Sequence, residues 1–210
     1  MADFERLSEE VIAGSVDEVA ELTQEAIDGG AEPKEIINQG LINGMSIVGQ
    51  RFKEGDMFVP EVMMAAKAMK GGMELVEPLL AEGDTSTVGT VVLGTVAGDL
   101  HDIGKNLVAM MMESASLKVV DLGIDVDPAE FVEAVKEHQP DVLGMSALLT
   151  TTMLEMQNTI ELLEEEGLRD SLKVIIGGAP VTPDFGEEIG ADAWAPDAAS
   201  AKDKVLELID

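Results

Sequence analysis

The hydrophobic period of this chain changes once, and that change limits what it can fold into. Up to about residue 80, apolar residues recur at three- and four-residue spacing over Phe4 to Ala13, Val16 to Ile27, Glu35 to Phe52 and Pro60 to Leu80, the period of amphipathic helices. The punctuation agrees. Gly29-Gly30 closes the second helix, Pro33 opens the third, Gly55-Asp56 turns between the third and fourth, and Pro60 lies in the fourth's first turn. Four antiparallel helices with short links are the simplest packing. The stretch from Ala81 to Thr87 is small and polar, which is linker composition, so the expected domains are residues 1–83 and 84–210.

After the linker, short β-branched runs alternate with helical segments. The runs are Val88 to Val96, Lys118 to Leu122, Val142 to Ser146, Val174 to Ile176 and a weak one at Ala193-Trp194. Helices are expected over Gly104 to Ser114, Pro128 to His138, Thr152 to Glu166, Thr182 to Ile189 and Ala201 to Ile209. Asp127-Pro128-Ala129-Glu130 has the form of a capped helix start. Strands and helices in alternation imply a parallel sheet covered on both faces, an α/β domain of Rossmann-like, flavodoxin-like type. In such a sheet a ligand sits at the carboxyl ends of the strands, where the strand order reverses. The chemistry should therefore lie in the loops that follow the strands.

Composition removes several classes of function. With no cysteine there is no disulfide framework, thiolate zinc site, iron–sulfur cluster or cysteine nucleophile. A net charge of −29 repels phosphate backbones and anionic lipid, which argues against nucleic-acid and membrane-surface binding. It is compatible with docking onto basic partner surfaces. The N-terminus lacks a basic region followed by an apolar run, and no long uncharged apolar stretch occurs, so a cytoplasmic protein is expected.

The loop after the first strand reads Gly98-Asp99-Leu100-His101-Asp102-Ile103-Gly104-Lys105-Asn106. It is not a phosphate loop, because Lys105 is followed by Asn106 rather than Ser or Thr and the upstream glycine spacing is wrong. A zinc site is poorly supported, since the other histidine, His138, ends a helix where it would complement the dipole. What remains is a histidine with an aspartate two residues earlier. An imidazole that ligates a metal through one nitrogen commonly donates its other N–H to a carboxylate, and Asp99 suits that part. By itself the motif is weak, and a loop histidine that merely caps its neighbour would also satisfy it. It is accompanied by Ser146-Ala147-Leu148-Leu149-Thr150-Thr151-Thr152 after the third strand and Gly177-Gly178-Ala179-Pro180 after the fourth. Forty-one residues separate Gly104 from Ser146, and twenty-eight separate Leu148 from Gly177.

In this order and at these spacings, Asp-x-His-x-x-Gly, Ser-x-Leu and Gly-Gly closely resemble the cobalamin-binding signature. Asn43-Gly44-Met45, Val48-Gly49, Phe52 and Phe58-Val59-Pro60-Glu61-Val62 are similar to the helical cap of methyl-carrying corrinoid proteins. The resemblance covers roughly residues 5–205. It is strongest to the small corrinoid proteins of methanol, methylamine and betaine methyltransferase systems and to the cobalamin module of methionine synthase. It implies a helical bundle cap followed by a five-stranded, Rossmann-like domain that binds cobalamin or a related corrinoid.

Carried over, the resemblance makes His101 the lower axial ligand of cobalt after the cofactor's own base has swung away. Asp99 would hold the other imidazole nitrogen, and Thr152 would extend the relay with a hydroxyl where the methionine synthase module has serine. Ser146 would hydrogen-bond the displaced base, and Leu148, Gly177 and Gly178 would line its slot, with Thr150 counted among the cofactor contacts. Asp102, Ile103 and Gly104 would continue under the corrin, and Gly98 would leave room beside it. Phe52, Phe58, Val59 and Val62 would lie on the opposite face, Phe58 acting as part of a movable lid. Met63, Met64, Met69 and Met73 are expected as adaptable core packing, and Met110-Met111-Met112 as part of a sheet-covering helix.

The function this implies is methyl carriage on cobalt. The expected partners are a donor-specific methyltransferase, an acceptor methyltransferase and a reductive activase, since two such domains leave no room for a methyl-donor barrel. Two other classes share the histidine loop or the helical domain: a subunit of a cobalamin-dependent mutase, and a cobalamin-binding sensor. The helical cap argues against the first. The charge, and the lack of a visible DNA-binding region, argue against the second.

Overall fold

The computed structural model describes residues 2–80 and 87–210. The chain divides into two compact units, Met1–Ser86 and Thr87–Asp210. Ala81–Ser86, most of the expected linker, lies outside the described residues.

The first unit is helical throughout its described length. Helices α1 (Phe4–Ala13) and α2 (Val16–Asp28) are followed by a single turn, α3 (Pro33–Glu35), then α4 (Asn43–Glu54) and α5 (Val59–Val76). Leu7, Val11, Val19, Leu41, Met45, Val48, Val62, Ala65 and Met69 are buried, at the helical spacing that the apolar pattern requires. Gly14 and Gly55 end α1 and α4 with φ of 72° and 79°, the left-handed conformation that a side chain would strain. Phe58 caps α5, its N–H donating to Glu61 Oε2 at 2.8 Å.

Two expectations need correction here. The span Glu35 to Phe52 is not one α-helix, because Ile36–Ile42 is wound as a π-helix between α3 and α4. Gly40 lies in that stretch against the Leu7 side chain, with no room for a Cβ, so tertiary contact coincides with the local rewinding. Met63 and Met64 are not core, being 44% and 46% exposed, whereas Met69 is buried. They precede and follow core positions on α5, and helical spacing close to the edge of an apolar stripe does not separate covered from uncovered residues.

The second unit is an α/β layer structure. Strands β1 (Gly89–Thr95), β2 (Leu117–Asp121), β3 (Val142–Ser146), β4 (Lys173–Gly177) and β5 (Ala193–Ala195) form one parallel sheet in the order β2-β1-β3-β4-β5. Helices α6 (Ile103–Glu113), α7 (Pro128–His138), α8 (Leu154–Glu165), α9 (Pro183–Glu188) and α10 (Ala198–Ile209) make the crossovers. Helix α7 has the expected bounds, and the ends of the other four depart from the sequence reading by at most three residues.

One apolar layer gathers Val92, Phe131, Val135, Leu143, Met156, Ile160 and Ile176 between the sheet and α7 and α8. The other gathers Val91, Met112, Val142, Ile175, Ala201 and Val205 under α6 and α10. Burial on both faces is what the near-continuous apolar strands require. The α7 start is capped as expected, with the Asp127 N–H donating to Glu130 Oε2 at 3.0 Å. The order reverses between β1 and β3, which puts the switch point where the His101 loop and the Ser146 loop leave the sheet.

Candidate functional site

At the carboxyl end of β1 the chain turns through Gly98, whose φ of 77° suits glycine, and runs through Asp99 and His101 into α6. Asp99 is fully buried and His101 is half exposed, with side-chain exposures of 0% and 53%. His101 Nδ1 lies 2.6 Å from Asp99 Oδ1, and the His101 backbone N–H donates to the same oxygen at 3.1 Å. The other carboxylate oxygen is met from β3's side of the switch point. Leu148 N–H, Leu149 N–H and the Thr152 hydroxyl approach Oδ2 at 2.7, 3.1 and 2.9 Å. Thr152 Oγ1 is also 2.9 Å from the Leu149 carbonyl, so its single proton serves one acceptor at a time.

Burial acts to raise the Asp99 pKa, but the hydrogen bonds from Leu148, His101 and Thr152 more than offset it and hold the carboxyl well below the usual carboxylate range. Asp99 is therefore an anion. An ionised oxygen only accepts, so the contact with Asp99 Oδ1 is donated by His101 Nδ1, and Nε2 is the ring nitrogen turned away from Asp99.

The backbone around the pair is braced by residues that the sequence reading did not single out. Thr95, fully buried in β1, donates its hydroxyl to the His101 carbonyl at 2.9 Å. Asp125 reaches across from the loop after β2: its carboxylate accepts the Gly98 N–H at 2.6 Å, and its own N–H donates to the Asp99 carbonyl at 3.1 Å. It does so at a φ of 56°, which is uncommon for a residue with a side chain. Lys105, buried in the first turn of α6, is tied to Asn106 Oδ1 and to Asp121 at the end of β2.

Beside His101 a cavity of about 540 Å³ runs between the sheet and helices α6 and α10. His101, Asp102, Ile103, Gly104, Ser146, Leu148, Gly177 and Gly178 line it, all of them singled out in the sequence. Its inner wall is formed by residues the sequence reading missed, including Leu93, Val108, Met112, Gly144, Ile175, Ala195, Ala198 and Ala201. Only Gly144 carried a usable signal, since a glycine inside a strand marks close approach. A Cβ at Gly144 would come within 2.8 Å of Leu93 Cδ1, and one at Gly178 would overlap the Ala147 carbonyl oxygen.

Gly98, Asp99, Thr150 and Thr152 do not line the cavity. Asp99 and Thr152 stand behind His101, Gly98 shapes the turn, and Thr150 is an exposed turn residue. Phe52, Phe58, Val59 and Val62 belong to the helical unit, where Phe58 is 68% exposed, Phe52 and Val59 are half-buried and Val62 is fully buried.

Among the described residues, no group of three or more His, Cys, Asp or Glu side chains converges to hold a metal ion. One imidazole with a fixed tautomer cannot cage a bare cation, but it suits a metal that arrives inside its own ring ligand and needs one axial donor. The surroundings fit such a ring. Leu100 and Ile103, beside His101, are 67% and 71% exposed, an apolar ledge at the mouth of a deep slot.

The comparisons agree with this chemistry. A family model described as B12 binding domain matches residues 89–205, and a second with that description matches residues 3–77. The dimethylamine corrinoid protein of Methanosarcina barkeri is 46% identical over 207 residues, covering 98% of this chain and 97% of its own. A cobalamin-binding protein from Desulfitobacterium hafniense DCB-2 superposes with a TM-score of 0.84 at 32% identity, over 100% of both chains. A chain of the methanol:cobalamin methyltransferase complex of M. barkeri superposes with a TM-score of 0.86 at 34% identity, over 97% of this chain and 78% of that one. Likeness of this extent, reaching both units, leaves one assignment: the chain belongs to the corrinoid proteins built on B12 binding domains.

Proposed function

We propose that this protein carries a methyl group on a bound corrinoid, receiving it from a donor-specific methyltransferase and yielding it to an acceptor methyltransferase. The carrying observation is the buried Asp99 carboxylate fixed to His101 Nδ1, which leaves Nε2 as a single donor beside a slot deep enough for a nucleotide tail. The corrinoid, when bound, supplies the cobalt that acts as nucleophile and holds the methyl group. The chain's residues do the rest. His101 Nε2 would be the protein's donor to the cobalt. Asp99 keeps the Nδ1 proton in place and fixes the orientation of the ring.

Thr152 and the Leu148 and Leu149 N–H groups keep that carboxylate ionised by meeting Oδ2. Ser146, Leu148, Gly177 and Gly178 would hold the corrinoid's nucleotide base, and Asp102, Ile103 and Gly104 would contact its ring. A reductive activase is the third partner this chemistry calls for, because low-valent cobalt is lost to oxidation and must be restored. Association of a relative with a methanol:cobalamin methyltransferase supports the methyltransferase partners.

The test is electron paramagnetic resonance of the reconstituted cobalt(II) form. Coupling to one histidine nitrogen is expected, absent in His101→Ala, together with methylation of the reduced holoprotein by a donor system. An unchanged spectrum in His101→Ala removes His101 from the axial position. A holoprotein that binds corrinoid but cannot be methylated by any donor system would favour a sensor.

A further inference from the structure

The slot beside His101 is chemically uneven along its length. Its polar side chains are already engaged: His101 Nδ1 is held by Asp99, Asp102 accepts from Asn106, Lys105 is tied to Asn106 and Asp121, and Asp197 caps α10 through Ser200. Ser146, the last residue of β3, is different. Among the described residues none hydrogen-bonds its hydroxyl, and it lines the slot on the same strand face as Gly144, two residues further in. Beyond Ser146 the walls are Leu93, Val108, Met112 and Ala201, with no polar side chain among them. The backbone of β3 and β4 there is paired within the sheet, so it offers no spare donor or acceptor.

We infer that this slot selects the lower base of the corrinoid, accepting benzimidazole-type bases and discriminating against purines. The inference rests on the proposal that the displaced base enters the slot. A benzimidazole joined to its ribose has one free ring nitrogen, which becomes available when the base leaves cobalt. Ser146 can donate one hydrogen bond to it, and the remaining ring is hydrocarbon, matching the apolar floor. An adenine presents the same imidazole nitrogen but adds two ring nitrogens and an exocyclic amine on its six-membered ring. In this slot those groups would lie past Ser146, against Leu93, Met112 and Ala201. Burying even one polar group unpaired lowers affinity by roughly tenfold or more.

The experiment is equilibrium titration of the full apo chain with cobinamide, cobalamin and adeninylcobamide. Each affinity is corrected for that compound's own base-displacement equilibrium, read from its spectrum in free solution. Cobalamin should bind more tightly than cobinamide, which has no nucleotide tail, and roughly tenfold or more tightly than adeninylcobamide. Ala201→Ser, which puts a hydroxyl on the slot floor, should narrow the gap between the two complete cobamides. Equal affinity for cobalamin and adeninylcobamide, with both tighter than cobinamide, would overturn the selectivity while leaving the base in the slot. Equal affinity for cobinamide and cobalamin would overturn the slot assignment and the selectivity together.

Discussion

Replacing Asp99 by asparagine separates the two jobs of its carboxylate. Asp99 accepts at both oxygens: three donors converge on Oδ2, and His101 uses Oδ1 twice. Asparagine fits this pattern one way round. Its carbonyl oxygen can keep Leu148, Leu149 and Thr152, which places the amide nitrogen against His101. The amide must then donate to Nδ1, so the imidazole proton moves to Nε2 and the lone pair intended for cobalt disappears. The His101 backbone N–H also loses its acceptor, and the three donors at Oδ2 face a neutral oxygen. The expected cost to stability is about 2–3 kcal/mol.

Asp99→Ala removes every acceptor at once and leaves buried donors unpaired, so roughly 4–6 kcal/mol is expected, a large part of a domain's stability. Urea denaturation of the apo forms gives the stabilities, and nitrogen coupling in the cobalt(II) holoprotein reports the ligand. Asp99→Asn should fold, bind corrinoid through the slot and show no histidine coupling. The reasoning is refuted if Asp99→Asn keeps full histidine coupling, or if the two variants are equally destabilised.

The depressed Asp99 pKa gives a pH dependence of definite sign. The ionised carboxylate stabilises the fold fully above the unfolded-state value of about 4, and that contribution is lost as pH falls from there through the lower folded-state value, so the acid limb of a stability–pH curve should flatten in Asp99→Asn. Gly178→Ala should destabilise the apo protein by about 3 kcal/mol or more in thermal or chemical unfolding, because its φ of 128° disfavours a side chain and its Cβ would overlap the Ala147 carbonyl; near wild-type stability would mean that the β3 and β4 loop ends move freely. Asp125→Gly relieves the positive φ and keeps the N–H to the Asp99 carbonyl, deleting only the acceptor for Gly98, so a reduced fraction of histidine-coordinated corrinoid should appear with little loss of corrinoid affinity. An undiminished fraction would show that the carboxylate is no brace. With a net charge of −29, association with a methyltransferase should slow about tenfold between low and high salt in stopped-flow measurements, and a flat profile would assign the acidic surface to solubility alone.

Sequence alone determined the features that rest on local rules. The period change before residue 87, the alternation of strands and helices after it, the cap at Asp127 and the turn at Gly55 each follow from backbone sterics or from hydrogen bonds between near neighbours. The Asp99-x-His101 pair was legible for the same reason, since its partners are two residues apart. Of what holds that pair, only the Thr152 hydroxyl was expected, from the family resemblance and not from a local rule. Leu148, Leu149 and Thr152 reach Asp99 from about fifty residues away, and Asp125 arrives from the loop after β2. Only the β2-β1-β3 strand order makes them neighbours.

The slot shows the same limit in another form. Val108, Met112 and Ala201 have the spacing of ordinary helix core, because periodicity records which face of an element avoids water and not what covers it. Met63 and Met64 show the converse, apolar residues beside a core stripe that the helical unit leaves uncovered. Tertiary packing decides between protein, cavity and solvent on an apolar face, since the hydrophobic effect is proportional to area and carries no direction.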